Sequence, residues 1–187
     1  MALIKARRAL PPLDQEALQE LALVYVGKYS TTRAKLKFYL KRKVHQRGWA
    51  GKFQPDFEQI ANRLAKLGYI DEQAYALGKS VSLTARGYGK GRLFEKLRLD
   101  GIDETDAAAA HAHANEQSVE TALRFAQRRR IGPFSSFAAD PKQRQKWIGA
   151  MVRAGHPIAL ARAISVLNPG APIERGMLCE RADMLED

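Results

Sequence analysis

One cysteine, Cys179, is present in 187 residues, and its solitude removes several possibilities. A single thiol cannot close an internal disulfide, and without a neighbouring base it is a poor nucleophile. The fold must rest on apolar residues, and at 45% of the composition these suffice for a core without disulfides or metal. A lone cysteine also fits a reducing compartment. Long apolar runs are missing too. The longest covers residues 21–26, far short of the roughly 20 residues a membrane span needs, so no membrane partner is expected. The opening MALIKARRALPP lacks the apolar core and cleavage site of a secretory signal, which predicts a cytoplasmic protein.

Acidic residues are scarce where basic residues concentrate. Residues 1–48 hold 11 Lys/Arg against 3 Asp/Glu, a net +8 out of the chain's +11. From Lys28 to Arg47 there are eight basic residues and no acidic one. The end is reversed: residues 170–187 carry a net −3. Charge gathered in this way marks a surface for a polyanion, either nucleic acid or an acidic protein face, for which the acidic tail can compete.

Enzymatic constellations are absent as well. Gly78-Lys79-Ser80 resembles the end of a phosphate-binding loop, but Gln73 stands where that motif needs glycine. His111 and His113 lie two apart, which on a helix points them away from each other and forbids a shared metal. The acidic residues sit at helix starts, where capping accounts for them. The expectation is a non-enzyme without metal or cofactor.

What the sequence does hold is helical periodicity. Pro11 and Pro12 lead into a first helix with Asp14 as cap and Leu18, Leu21, Ala22 and Tyr25 on one side. After caps at Ser30, Thr31 and Thr32, a second helix sets Leu36, Leu40 and Val44 on one stripe, and Arg33, Lys37 and Lys41 on another. Residues 48–55 read as a connector. A helix capped by Asp56 turns Ile60, Leu64 and Leu67 inward, and the next, capped by Asp71, buries Ala74, Tyr75, Leu77 and Val81, with Tyr69 also in the core. Gly87-Tyr88-Gly89-Lys90-Gly91 reads as a flexible hinge before a basic helix with Leu93, Phe94 and Leu97 inward. Tyr88 and Trp49 are expected to be exposed for contact with a partner. Further helices follow over residues 103–113, 116–130 and from Asp140 to Gly155, and a last one from Pro157 buries Ile158, Ala161 and Ile164. No stretch alternates like a strand.

The helices repeat. Leu36 and Leu40 match Leu93 and Leu97, 57 positions on, and Trp147 and Met151, 54 further, with glycine following at Gly101 and Gly155. A period near 55 residues predicts an all-α tandem array of three three-helix repeats forming an elongated, curved rod. The predicted divisions are an arm (1–12), repeat 1 with its connector (13–55), repeat 2 (56–102), repeat 3 (103–168) and a disordered acidic tail (169–187).

Three segments carry a resemblance to a known family: STTRAKLKFYLKRK (30–43), LGYIDEQAYA (67–76) leading into GYGKGRLFEKLRLDGID (87–103), and RQKWIGAMVRAGHP (144–157). In this order they are similar to the RecX family of bacterial recombinase regulators, and the match spans most of residues 13–167. The connector at 48–55, the insertion IGPFSSFAAD and the tail after Pro169 depart from the family pattern. The resemblance implies three tandem repeats and a non-enzymatic protein that binds the RecA filament on DNA. It implies inhibition of recombinase ATPase and strand exchange, and either a hindered filament extension or its disassembly. On the basic pattern, the contacts to filament or DNA are expected from Arg33, Lys35, Lys37, Lys41, Arg42, Lys43, Tyr88, Lys90, Arg92, Lys96 and Arg98, in a protein acting as a monomer. A stand-alone, sequence-independent DNA-binding module is the alternative.

Overall fold

The structure, a computed structural model, describes residues 10–178. Among these the fold is all-α: α1 (Gln15–Lys28), α2 (Arg33–Arg47), α3 (Phe57–Lys66), α4 (Glu72–Ala85), α5 (Lys90–Leu99), α6 (Glu104–Glu116), α7 (Ser118–Arg129), α8 (Pro141–Arg153) and α9 (Ile158–Ser165), with a 3-10 turn at Gly132–Phe134. Capping sets the helix starts. The carboxylates of Asp14, Asp56, Asp71, Asp103 and Asp140 each accept the amide proton three residues on, at 2.6 to 2.9 Å. Thr32 Oγ1 does the same for Lys35 N at 3.1 Å. Each cap satisfies a donor that the helix leaves unpaired and is worth about 1 kcal/mol.

The chain divides into two compact units, Met1–Tyr75 and Ala76–Asp187, with the boundary inside α4. In unit 1 a core of Leu13, Leu18, Ala22, Leu36, Leu40, Ile60, Ala61 and Leu64 joins α1, α2 and α3. The predicted end of repeat 1 at residue 55 therefore cuts between helices that share one core. The reason is that Ile60, Ala61 and Leu64 of α3 find their apolar partners on α2. Residues 48–50 are tied back to the entry of α1, with Leu13 N donating to Gly48 O (2.9 Å) and Ala50 N to Leu13 O (2.8 Å). Trp49 is half-buried there and its Nε1–H donates to Phe53 O at 2.8 Å, so it is less open than predicted.

In unit 2 the core gathers Leu123, Phe125, Ile131, Trp147, Met151, Leu160 and Ile164. The three predicted anchor pairs, Leu36/Leu40, Leu93/Leu97 and Trp147/Met151, are all buried. A glycine at positive φ follows each: Gly48 (84°), Gly101 (75°) and Gly155 (92°).

Several predicted positions move. In α4, Ala74, Leu77 and Val81 are exposed, and the buried face is Glu72, Tyr75, Ala76, Ser80 and Thr84. Its polar members are satisfied: Ser80 Oγ lies 3.0 Å from Ala110 O and 2.8 Å from His113 Nδ1, and Thr84 Oγ1 donates to Ser80 O. Leu67, Tyr69 and Ile158 are exposed rather than inward. Phe94 lies at the surface with its ring 3.9 Å from that of His111. The first part of the tail is ordered: Gly170 N donates to Pro133 O at 2.9 Å, and Leu178 is 4% exposed within the unit 2 core. The rest of the predicted disordered tail lies outside the described residues.

The 87–91 segment is not a hinge. Gly89 N donates to Ala154 O (2.9 Å) and Gly91 N to Gly155 O (3.0 Å), which pins the α4–α5 turn against the α8–α9 turn, backbone to backbone. His156 closes the junction, with Nε2 3.2 Å from Gly87 O. The contact makes Nε2 the protonated nitrogen, and Nδ1 is buried without a hydrogen-bond partner. Burial pushes this imidazole down to about 4, against the opposing pull of the Gly87 carbonyl. The folded state thus disfavours the protonated form, while the unfolded chain takes up a proton near pH 6.5. The stabilisation is complete above that value and is lost as pH falls to about 4. The loss amounts to about 3 kcal/mol, from the size of the shift. Chemical denaturation at pH 7 and near pH 4 should show this difference in the wild type and its removal in His156→Gln.

Candidate polyanion-binding surface

The basic side chains chosen from sequence fall into two sets. Arg33, Lys35, Lys37, Lys41, Arg42 and Lys43 lie on α2 in unit 1. Tyr88, Lys90, Arg92, Lys96 and Arg98 lie on α5 and the turn before it in unit 2.

The α2 set is less free than its spacing suggests. Arg33 is clamped by Glu72, whose Oε2 accepts from Nε at 2.6 Å and also meets Nη2. Glu72 Oε1 takes the backbone N–H of Arg33 at 2.8 Å, so one buried carboxylate both caps α2 and fixes its first side chain. Lys35 donates to the Tyr75 hydroxyl at 2.9 Å and lies 5.2 Å from the centre of that ring. Lys37 pairs with Glu58 at 2.6 Å, and that hydrogen bond holds the Glu58 carboxyl below its usual range. The predicted stripe Arg33, Lys37, Lys41 is therefore neutralised at two of its three positions.

The second half of α2 differs. Lys41 and Arg42 are exposed, and among the described residues no carboxylate forms an ion pair with them or with Lys43. Arg42 and Lys43 sit over the Tyr39 ring, at 5.8 and 5.5 Å. Tyr39 in turn stacks on Tyr25 at 4.2 Å, and Tyr25 touches Tyr29 at 5.2 Å. Burial raises the Tyr39 hydroxyl above its ordinary value, and the nearby Arg42 charge opposes that shift.

Phe38, 68% exposed, precedes Lys41 and Arg42 by three and four residues, so the three share one face of the helix. An apolar ring held in water beside unneutralised cations is the composition of a contact surface. Tyr29 is also exposed. Neither ring was singled out from sequence. The readable signal for Phe38 was its position on the cationic side of the helix.

In unit 2, Lys96 pairs with the buried Asp100 at 2.7 Å, and Arg92 lies 3.6 Å from Glu95 with both side chains half in water. Arg98 is exposed and Lys90 is half-buried. Tyr88 packs against the unit 2 core with the Arg86 guanidinium 5.2 Å above its ring, so one face is already occupied.

Other chemistry finds little purchase. Among the described residues no group of three His, Cys, Asp or Glu side chains is placed to hold a metal, and no helix is long and apolar enough to cross a membrane. The Ser80–His113 pair links the middle of α4 to the last turn of α6 with the hydroxyl fully buried, out of reach of a substrate.

Fold and surface together define a class: a small all-α protein that presents a cationic and aromatic face. Comparison with known proteins places it further. The chain is 31% identical over 160 residues to the regulatory protein RecX of Myxococcus xanthus (strain DK1622), covering 81% of this chain and 86% of that one. It is 24% identical over 157 residues to the regulatory protein RecX of Amycolatopsis mediterranei (strain U-32), covering 83% and 85%. The chain belongs to the RecX family of regulatory proteins. A crystal structure of a regulatory protein RecX shares the fold, with a TM-score of 0.55 and 22% identity over 75% of this chain and 66% of that one. No family model matches the chain.

Proposed function

We propose that this protein binds the RecA filament on DNA and restrains it, lowering recombinase ATP hydrolysis and strand exchange and hindering filament extension. Family membership supports this reading. The observation that carries it to particular residues is the exposed face of Phe38, Lys41 and Arg42, where neither cation has a carboxylate partner among the described residues. Such a face suits an acidic protein surface or phosphates, and it provides an aromatic anchor of the kind that concentrates interface energy. Arg98 and Tyr88 supply further contacts from unit 2, whereas Arg33 and Lys37 act by holding unit 1 together.

On this reading the protein is a non-enzyme that works in the cytoplasm as a monomer. Its helices form three repeats, α1–α3, α4–α6 and α7–α9, each with one of the buried anchor pairs on its middle helix.

Charge reversal at Lys41→Glu with Arg42→Glu tests the assignment. The exposed positions predict a change in stability within about 0.5 kcal/mol. Half-inhibition of recombinase ATPase on single-stranded DNA should need at least about tenfold more protein, the effect of about 1.4 kcal/mol of lost binding. A double variant that melts like the wild type and inhibits equally well would remove this face from the interface.

A further inference from the structure

Unit 2 carries a second basic surface that the sequence pattern did not point to. At the C-terminal end of α4, α7 brings up Arg124, Arg128 and Arg129, while Arg86 stands in the turn that follows α4. Arg124 Nη1 donates to Thr84 O at 3.0 Å and Arg128 Nη1 to Arg86 O at 2.6 Å. Arg86 lies over Tyr88 at 5.2 Å, and Arg128 and Arg129 lie over Phe125 at 5.7 and 5.8 Å. Arg130 then ends α7 in the left-handed region, at φ 55°.

All five arginines are exposed, and among the described residues none forms an ion pair with a carboxylate. Capping of carbonyls at the end of α4 (Thr84) and in the turn after it (Arg86) explains two of them. It does not explain Arg86, Arg129 and Arg130. The half charge at a helix C-terminus is also far too small to balance five cations.

We infer that this patch is a binding site for the phosphodiester backbone of a single-stranded nucleic acid, contacted by Arg86, Arg124, Arg128 and Arg129. Three features favour that ligand. The basic groups are all guanidinium, whose planar fork matches a phosphate with two parallel hydrogen bonds. Two of the forks are oriented beforehand by the carbonyls of Thr84 and Arg86 and spend only one N–H of five on them. Finally, the exposed residues of α7 from 121 to 129 are Arg124, Gln127, Arg128 and Arg129, with no apolar side chain among them. A protein partner would look for a desolvated apolar or aromatic anchor, whereas nucleic-acid surfaces are polar and strongly cationic. The contacts run to backbone, so binding should be indifferent to base order.

The test is fluorescence anisotropy of a labelled oligo-dT strand over a series of salt concentrations, with no recombinase present. Arg86→Ala with Arg129→Ala removes two phosphate contacts and leaves both carbonyl-capping arginines in place. Affinity should fall about tenfold, and the log–log salt slope should become shallower by roughly 1.4, at about 0.7 per single-strand phosphate. Unchanged affinity and slope, in a variant that melts like the wild type, would overturn the site. Displacement of the strand by polyglutamate as readily as by unlabelled oligo-dT would assign the patch to an acidic protein and overturn the phosphodiester reading. Because the assay holds no recombinase, its failure is separate from any failure of filament inhibition.

Discussion

Replacing Gly89 with alanine should destabilise unit 2 by about 3 kcal/mol or more, the range reached when a core contact has no room to adjust. Gly89 has φ −76° and ψ 171°, which alanine adopts freely, so backbone conformation is not the obstacle. The obstacle is space. A methyl group there would land on the Gly155 carbonyl and stand 2.6 Å from the His156 backbone nitrogen. Neither neighbour is the end of a flexible side chain, so the two turns must part. Parting them sacrifices the Gly89 N to Ala154 O and Gly91 N to Gly155 O hydrogen bonds and uncovers His156. Gly78→Ala is the matched control: it lies within α4 with nothing within 4 Å of the added carbon, and it should gain about 0.5 to 1 kcal/mol. Urea denaturation of the two variants checks both signs. Equal stability of Gly89→Ala and wild type would show that the turns are not in backbone contact.

Arg33→Ala should cost about 2 kcal/mol, below the roughly 3 to 5 kcal/mol for breaking a fully buried pair, because the arginine side chain is 40% exposed while that of Glu72 is only 6% exposed. The loss comes from stranding Glu72, which keeps the Arg33 backbone N–H but loses the guanidinium. Adding Glu72→Gln to Arg33→Ala should therefore recover part of the stability, since a neutral amide is cheaper to bury than a bare carboxylate. Arg33→Lys keeps the charge but lacks the planar fork, and should fall between wild type and Arg33→Ala. Denaturation melts of the four proteins decide the matter. An Arg33→Ala variant as stable as the wild type, yet weak in binding, would return Arg33 to the contact surface and contradict its placement as a structural residue.

Much of the fold was legible because local chemistry fixed it. Five aspartates and Thr32 cap helices in the structure, and Leu36, Leu40, Leu93, Leu97, Trp147 and Met151 are buried as their spacing required. α4 was misread for a physical reason. Its inward face carries Glu72, Ser80 and Thr84, polar groups that become acceptable inside only when partners such as Arg33 and the Ala110 carbonyl arrive from 30 to 39 residues away. An apolar stripe cannot announce partners at that distance.

The same limit governs the surface. Spacing placed Arg33, Lys37 and Lys41 on one side of α2, but only the folded chain brings Glu72 and Glu58 onto two of them. The glycines at 87, 89 and 91 were visible as a break in the helical pattern. Their use as a close backbone junction depends on Gly155, more than 60 residues away, and so was invisible from the segment itself.

The most direct test of filament regulation is ATP hydrolysis by the cognate recombinase on single-stranded DNA while the wild-type protein is titrated in. On the proposed contact through exposed cations, hydrolysis should fall to a saturating floor, and the midpoint should move to higher protein concentration as salt is raised. A rate that stays constant across the titration would contradict the proposed regulation of the recombinase filament.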